Sequence, residues 1–428
     1  MEFQSIAFLI VCLVFYVYAV RRGLQGSKSV KLYGPVVLVR CEKCAQTIER
    51  LTPKWARFLG PIAIAVWLIG MVAGMFLLIG SVIASLAIPP EYAPSPSTLI
   101  GLPGLNPLIP LWYGLVGLII AIIFHELAHG FEARVNGIPI KSAGLLLLIL
   151  PLGAFVEPGE ELQDAKPIIK AKVFSAGPFA NVMATLFIIL LISQQLTGVT
   201  VTVQGVGITA IVPGSPAEKA GIQPGDIIVR VDDIEIMNLQ QFLSVMANRK
   251  AGERATLTLS KGRDIVVTLA DKYSYSGKIE DKGLGFIGVN LVDLNQTLSL
   301  LTPFSSPFSN LLGTIRSLML IPVSLPPSFL PYLKSFYTQP IGGWEIVYML
   351  LWIAWMNFAV GLANMLPIIP FDGGSTLKAG LESLIRLPFF STHRKAVDIL
   401  VGTISIITIA LIIAPVIIPR LLPILRLR

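Results

Sequence analysis

Ile122-Ile123-Phe124-His125-Glu126-Leu127-Ala128-His129-Gly130 closes an apolar run over 92–124, and its reading decides the fold class. About 20 apolar residues span a bilayer, and this run is one of several of that length. Histidines four apart lie on one helix face, so the spacing predicts that both imidazoles reach a single metal ion. The glutamate beside the first is placed to take a proton from a water held there. With only three histidines in 428 residues, chance matches to this spacing number on the order of 10⁻³. The plain alternative is a pair of helix-end histidines beside an interfacial glutamate. Ionisable groups at membrane depth are costly and default to function, which favours the metal.

Composition agrees with a membrane chain. Hydrophobic residues make up 54% and charged residues 14%, with a mean hydropathy of +0.76. Soluble domains carry about 25% charged residues, so a cytosolic globule is excluded, and so is a disordered chain. The net charge of +8 does not point to nucleic acid, because the basic residues cluster between apolar runs, as in positive-inside loops. Three cysteines, an odd number, indicate no disulfide framework.

Working outward, the chain reads as a polytopic α-helical membrane protein of about six spans: 3–20, 58–90, 92–124, 173–194, 346–366 and 399–419. The first lacks a basic start and a small-residue cleavage site, so it is expected to be a retained helix. Residues 143–156 are too short to cross and carry Gly144, Pro151 and Gly153. They read as a re-entrant segment buried in protein or lining a wet cavity. Residues 317–333, with Pro322, Pro326, Pro327 and Pro331, read as interfacial. Arg21, Arg22, Lys28, Lys31, Arg40, Lys43, Arg50, Lys54 and Arg57 place the 21–57 loop in the cytoplasm. The cytoplasmic ends of the third and fifth spans then share a side, with Lys378, Arg386, Arg394 and Lys395 in agreement. Arg420, Arg426 and Arg428 disagree with a full last crossing. Residues 200–293 differ in character, with dense charges and alternation such as Ala255-Thr256-Leu257-Thr258-Leu259, which predicts strands. The expected division is 1–57, 58–198, an extracytoplasmic β domain at 199–293, a Pro-rich segment at 294–343, and 344–428.

Two histidines leave a metal short of a third protein ligand. Glu157, Glu160 and Glu161 follow in a broken loop, and the fifth span ends Asn364-Met365-Leu366-Pro367-Ile368-Ile369-Pro370-Phe371-Asp372-Gly373-Gly374. Topology sets that carboxylate on the same side as His125 and His129, although alone it would read as a solvated loop aspartate. Two rivals remain at this point. A membrane scaffold with structural zinc needs no glutamate beside its histidines. A metal transporter would line several spans with carboxylates or histidines, and this chain has one cluster at one depth.

His125-Glu126-x-x-His129, Asn364-x-x-Pro367-x-x-x-x-Asp372-Gly373 and Ser175-Ala176-Gly177-Pro178-x-x-Asn181 together resemble the site-2 protease family of intramembrane zinc metalloproteases. The resemblance covers about 110–195 and 344–375. It implies one zinc ion held by His125, His129 and Asp372, with Glu126 as catalytic base and Asn364 on the substrate backbone or oxyanion. It also implies close helix packing at Gly177 and Pro178, an outer hydrogen bond or helix–helix contact from Asn181, and substrate guiding by 144–156. The expected substrate is a membrane-spanning protein in the lipid bilayer, cut in or near its helix in regulated intramembrane proteolysis.

The segment from Val212 to Ile228 looks like the PDZ domains of bacterial-type membrane proteases. Gly283, Leu284, Gly285, Phe286, Ile287, Gly288 and Val289 then match a loop whose N–H groups take a C-terminal carboxylate, or a plain hairpin with structural glycines. Cys41-x-x-Cys44 is half a zinc site, and coincidence or a reduced surface pair is expected over metal binding between subunits. Cys12 reads as a small apolar residue and His393 as solvated.

Overall fold

The computed structural model describes residues 2–27, 29–148, 150–325, 329–385 and 394–426. Lys28, Pro326, Pro327, Arg386, His393 and Arg428 lie outside the described residues. The chain divides into two compact units, Met1–Leu186 with Ile353–Arg428, and Phe187–Trp352.

The first unit begins with helix α1 (Glu2–Leu24), which covers the first expected span. The basic stretch that reads as a loop is structured. It holds β1 (Val30–Tyr33), β2 (Val36–Cys41) and α2 (Glu42–Leu51). Val36-Val37-Leu38-Val39 is a short run rich in β-branched valine, and flanking charges mask it in a composition-based reading. Cys41 and Cys44 are joined as a disulfide at the start of α2, which corrects the expectation of a reduced pair. Next come α3 (Leu59–Ser85), α4 (Leu111–Val135), β3 (Ile140–Leu148), β4 (Leu150–Pro158), the single turn α5 (Glu161–Asp164) and α6 (Pro167–Leu196). Helix α4 starts well after residue 92, because Pro94, Pro96, Pro103, Pro107 and Pro110 block a helix there.

The segment 143–156 is thus the core of a β-hairpin that completes a four-stranded antiparallel sheet of order β1-β2-β3-β4. Helix α1 buries Ala19 against Val37 and Leu147 of this sheet. Helix α2 buries Ala45 and Ile48 with Ile140 and Ala143, and Leu127 and Phe131 of α4 pack on that cluster. Burying Val37 or Leu147 in this way stabilises by about 1.5–3 kcal/mol each.

The second unit carries β5 (Val206–Ile211), α7 (Pro216–Lys219), β6 (Ile227–Val231), β7 (Ile234–Glu235), α8 (Leu239–Met246), β8 (Arg254–Leu259), β9 (Arg263–Thr268), β10 (Ala270–Asp271), α9 (Tyr273–Ser276), β11 (Gly285–Phe286) and β12 (Val289–Asp293). Six of these strands form a sheet of order β12-β5-β6-β8-β9, with β7 on β6. Its core includes Val206, Ile208, Ile228, Val231, Leu257 and Leu259. The Pro-rich segment that follows folds as α10 (Leu294–Ser305), α11 (Leu311–Ser324) and α12 (Leu330–Phe336). Gly207 of β5 backs onto Phe336 and Leu294, so the sheet and these helices pack as one body.

The chain ends with α13 (Trp344–Met365), α14 (Asp372–Ile385) and α15 (Arg394–Arg426). Within the first unit, α15 packs on α3 and α14. Among the described residues, five helices are long and apolar enough to cross a membrane: Lys54–Ser85, Leu111–Val135, Pro167–Leu196, Trp344–Met365 and Lys395–Leu422.

Candidate metal centre and active site

His125 and His129 project from one face of α4 and are both buried. Their rings meet edge to face, with centroids 4.7 Å apart. Asp372, the first residue of α14, joins them from far along the chain. Its Oδ2 lies 2.8 Å from His125 Nε2 and 3.2 Å from His129 Nε2. The ligand atoms of these three residues all lie within 4.8 Å of one another.

The loop that delivers Asp372 is itself anchored. Ser405 of α15 accepts from Ile369 N at 3.1 Å and lies 3.2 Å from the Pro367 carbonyl. A Cβ on Gly373 or Gly374 would run into the backbone of 365–369, so only glycine allows α14 to start this close to the loop. Burial, the largest influence on Asp372, pushes its carboxyl up. The neighbouring imidazoles of His129 and His125 outweigh it and hold the group well below the usual carboxylate range.

Both imidazoles are oriented from behind. Asn181 Oδ1 lies 3.2 Å from His125 Nδ1, and the Val173 carbonyl lies 2.7 Å from His129 Nδ1. An acceptor on each Nδ1 keeps a proton there and turns each Nε2 toward Asp372, the nitrogen that a bound metal would take in place of a proton. Two imidazole nitrogens, one carboxylate oxygen and oriented rings are a donor set that fits zinc. Gly177 of α6 lies against the histidine edges, where a Cβ would strike both Nε2 atoms.

Glu126 is held by the sheet: Val156 N of β4 donates to its Oε2 at 2.8 Å. That N–H points away from β3, so β4 keeps an open edge beside the glutamate. A cavity of about 290 Å³ is lined by His125, Glu126, His129, Val156, Asn364 and Asp372. Asn364 spends one N–H on the Val360 carbonyl, at 3.0 Å, and keeps a second. The three nearby glutamates are mostly engaged elsewhere. Glu157 pairs with Arg40 at 3.1 Å and accepts from Ser142, and Glu160 pairs with Lys141 at 2.7 Å.

Residues 283–289 belong to the second unit. They line a separate cavity of about 260 Å³ with Phe242, Leu243 and Met246 of α8 and Leu291 of β12. Two features of the first site carried no signal that the sequence reading used. Val156 acts through its backbone, and Ser405 is an ordinary serine in an apolar helix.

A sequence profile of peptidase family M50 matches residues 113–409, well over half of the chain. An uncharacterised protein of Methanocaldococcus jannaschii is 29% identical over 85% of this chain and 82% of its own length. The zinc metalloprotease RasP of Shouchella clausii is 25% identical over 54% of this chain and 56% of its own. RasP of Oceanobacillus iheyensis is likewise 25% identical, over 51% and 52%. A match of that extent, reached after apolar helices and a zinc-fitting donor set, makes the chain a member of peptidase family M50, the site-2 proteases, and a membrane zinc metalloprotease.

Proposed function

We propose that the protein hydrolyses a peptide bond in or near the transmembrane helix of another membrane protein, with His125, His129 and Asp372 holding the zinc. The observation that carries this reading is the convergence of Asp372 Oδ2 on the Nε2 atoms of His125 and of His129, the latter 243 residues away in sequence, with Glu126 in the same cavity. When bound, zinc supplies a Lewis acid that polarises the scissile carbonyl and acidifies a water.

Glu126 takes the proton of the attacking water and later passes it to the leaving amine. Its tie to Val156 N keeps the carboxylate aimed into the cavity. Asn364 offers its remaining N–H to the oxyanion of the tetrahedral intermediate. A helical substrate shields its own amides, so it must unwind locally. The open edge of β4 can pair with the extended stretch and stabilise it by strand addition. Asn181 and the Val173 carbonyl keep both imidazoles in the tautomer that leaves Nε2 for the metal, and Gly177 leaves room for it.

The charge pattern of the loops supports an active site near the cytoplasmic face and an extracytoplasmic insert in the cell membrane. The insert reads as PDZ-like, with 283–289 and α8 as its groove walls, either excluding untrimmed substrates or recruiting trimmed ones. That role fits regulated intramembrane proteolysis. Metal analysis of the purified protein, paired with cleavage of a single-span substrate in detergent, tests the reading. Glu126→Gln should lower turnover by about 10²–10⁴-fold, the usual share of a general base, while zinc content stays equal to that of the unmodified protein. Normal turnover in that variant would remove Glu126 from the mechanism.

A further inference from the structure

The orientation of His125 leads to a residue outside the cavity. With Nε2 toward the metal, Nδ1 carries the proton, and Asn181 must present Oδ1 to it, at 3.2 Å. That fixes the Asn181 amide and turns its Nδ2 away from the histidine. Asn181 is fully buried, and its Nδ2 has no partner among the described residues.

Asn357 of α13 is the complement. It is also fully buried, and its Nδ2 donates to the Ile353 carbonyl at 2.8 Å, which fixes its amide in turn. Its Oδ1 is left without a partner among the described residues. A buried unpaired donor and a buried unpaired acceptor are each costly, and one water between them satisfies both.

The two amides share one helix seam. A Cβ on Gly361 of α13 would stand 3.0 Å from Asn181 Cβ and 3.4 Å from the Pro178 carbonyl. Thr185 Oγ1 reaches the Ala354 carbonyl at 3.4 Å. On α13, Asn357 is three residues beyond Ala354 and four before Gly361, hence on the same face. It therefore sits in the seam between Asn181 and Thr185.

We propose that Asn357 Oδ1 and Asn181 Nδ2 are joined through one buried water, and that Asn357 so acts as a positioning residue for His125. The relay rests on the assignment of His125 as a zinc ligand. It makes α13 contribute twice: Asn364 lines the cavity, and Asn357 two turns away orients a ligand through α6. Outer partners of this kind hold ring orientation and ligand basicity.

The test is a double-mutant cycle on zinc affinity, measured by chelator competition on the full chain in detergent. It is read beside the visible absorption of the cobalt-loaded protein. Asn181→Leu should weaken zinc binding about 10–100-fold and Asn357→Leu roughly tenfold. Both should shift the cobalt bands. The double variant should bind zinc no more weakly than Asn181→Leu alone, because the second change removes a partner already lost. Asn357→Ser, which keeps an acceptor, should restore most of the affinity. Thr185→Val, in the same seam, should lower the Tm and leave zinc affinity and cobalt bands unchanged.

Full zinc affinity in Asn357→Leu, or losses that add in the double variant, would overturn the relay. Should Asn357→Leu not fold, Asn357→Ala against Asn357→Ser makes the same comparison. His125→Ala separates the two levels. If it keeps zinc, the ligand assignment falls and the relay with it. If it loses zinc while Asn357→Leu keeps it, only the relay falls.

Discussion

The four-stranded sheet of the first unit and the six-stranded sheet of the second are both antiparallel, but they meet different surroundings. Strands β3 and β4 are apolar nearly throughout, as in Leu145-Leu146-Leu147-Leu148. Helix α1 packs on them through Leu147, and α2 through Ala143. Strand β8 instead alternates, with Ala255, Leu257 and Leu259 buried and Arg254, Thr256 and Thr258 turned outward. The first sheet reaches the candidate site through the bond from Val156 N to Glu126. The second closes around its own core of Ile208, Ile228 and Leu257. A strand covered by helices can be uniformly apolar. A strand that only builds a water-facing domain must alternate.

That contrast can be broken at three levels. The largest effect is expected at the carboxylate that both histidines face. Asp372→Asn should weaken zinc retention by more than about 100-fold, beyond what an outer partner of a ligand contributes, and activity should fall with it. Full zinc occupancy and turnover, measured by metal analysis and substrate cleavage, would shift the third ligand to Glu157, Glu160 or Glu161.

A smaller effect is expected where the first sheet meets the base. Val156→Pro removes the N–H that Glu126 accepts, and an open strand edge tolerates proline. A hydrogen bond to a charged group is worth about 1.5–3 kcal/mol, so kcat should drop roughly 10–150-fold with zinc content unchanged. If turnover is untouched, the sheet guides substrate without aiming the base.

The smallest effect on the chemistry is expected from the second sheet. Replacing 206–293 with a short flexible linker should leave zinc bound and keep cleavage of a substrate already trimmed outside. Cleavage of untrimmed substrates should rise if the insert excludes them. If residues 283–289 recruit trimmed substrates, their cleavage should fall instead, and a free C-terminal peptide should compete in the intact protein. Loss of zinc would defeat both versions and erase the distinction between the two sheets.

Much of this was readable in the linear chain. The apolar run lengths announced α3, α4, α6, α13 and α15, since the bilayer sets a length that composition reports directly. The insert was readable because one wet face imposes period-two alternation. The basic stretch was not, because β1 and β2 are short and β2 pairs with β3, a partner about a hundred residues away in sequence. The Cys41–Cys44 disulfide escaped for a related reason, since two-residue spacing permits a thiol pair, a half metal site or a bridge equally.

The sequence by itself determined the membrane class, the helix that carries His125, Glu126 and His129, and the chemistry those residue types can perform. Helical periodicity and side-chain chemistry are local properties. Only the tertiary structure decided which carboxylate meets the histidines, which partner each ring nitrogen faces, and what holds Glu126. Those depend on contacts between α4, α6, β4 and the start of α14, and on backbone groups such as Val156 N and the Val173 carbonyl. Every residue carries such backbone groups, so no sequence pattern can mark the ones that packing brings to the site.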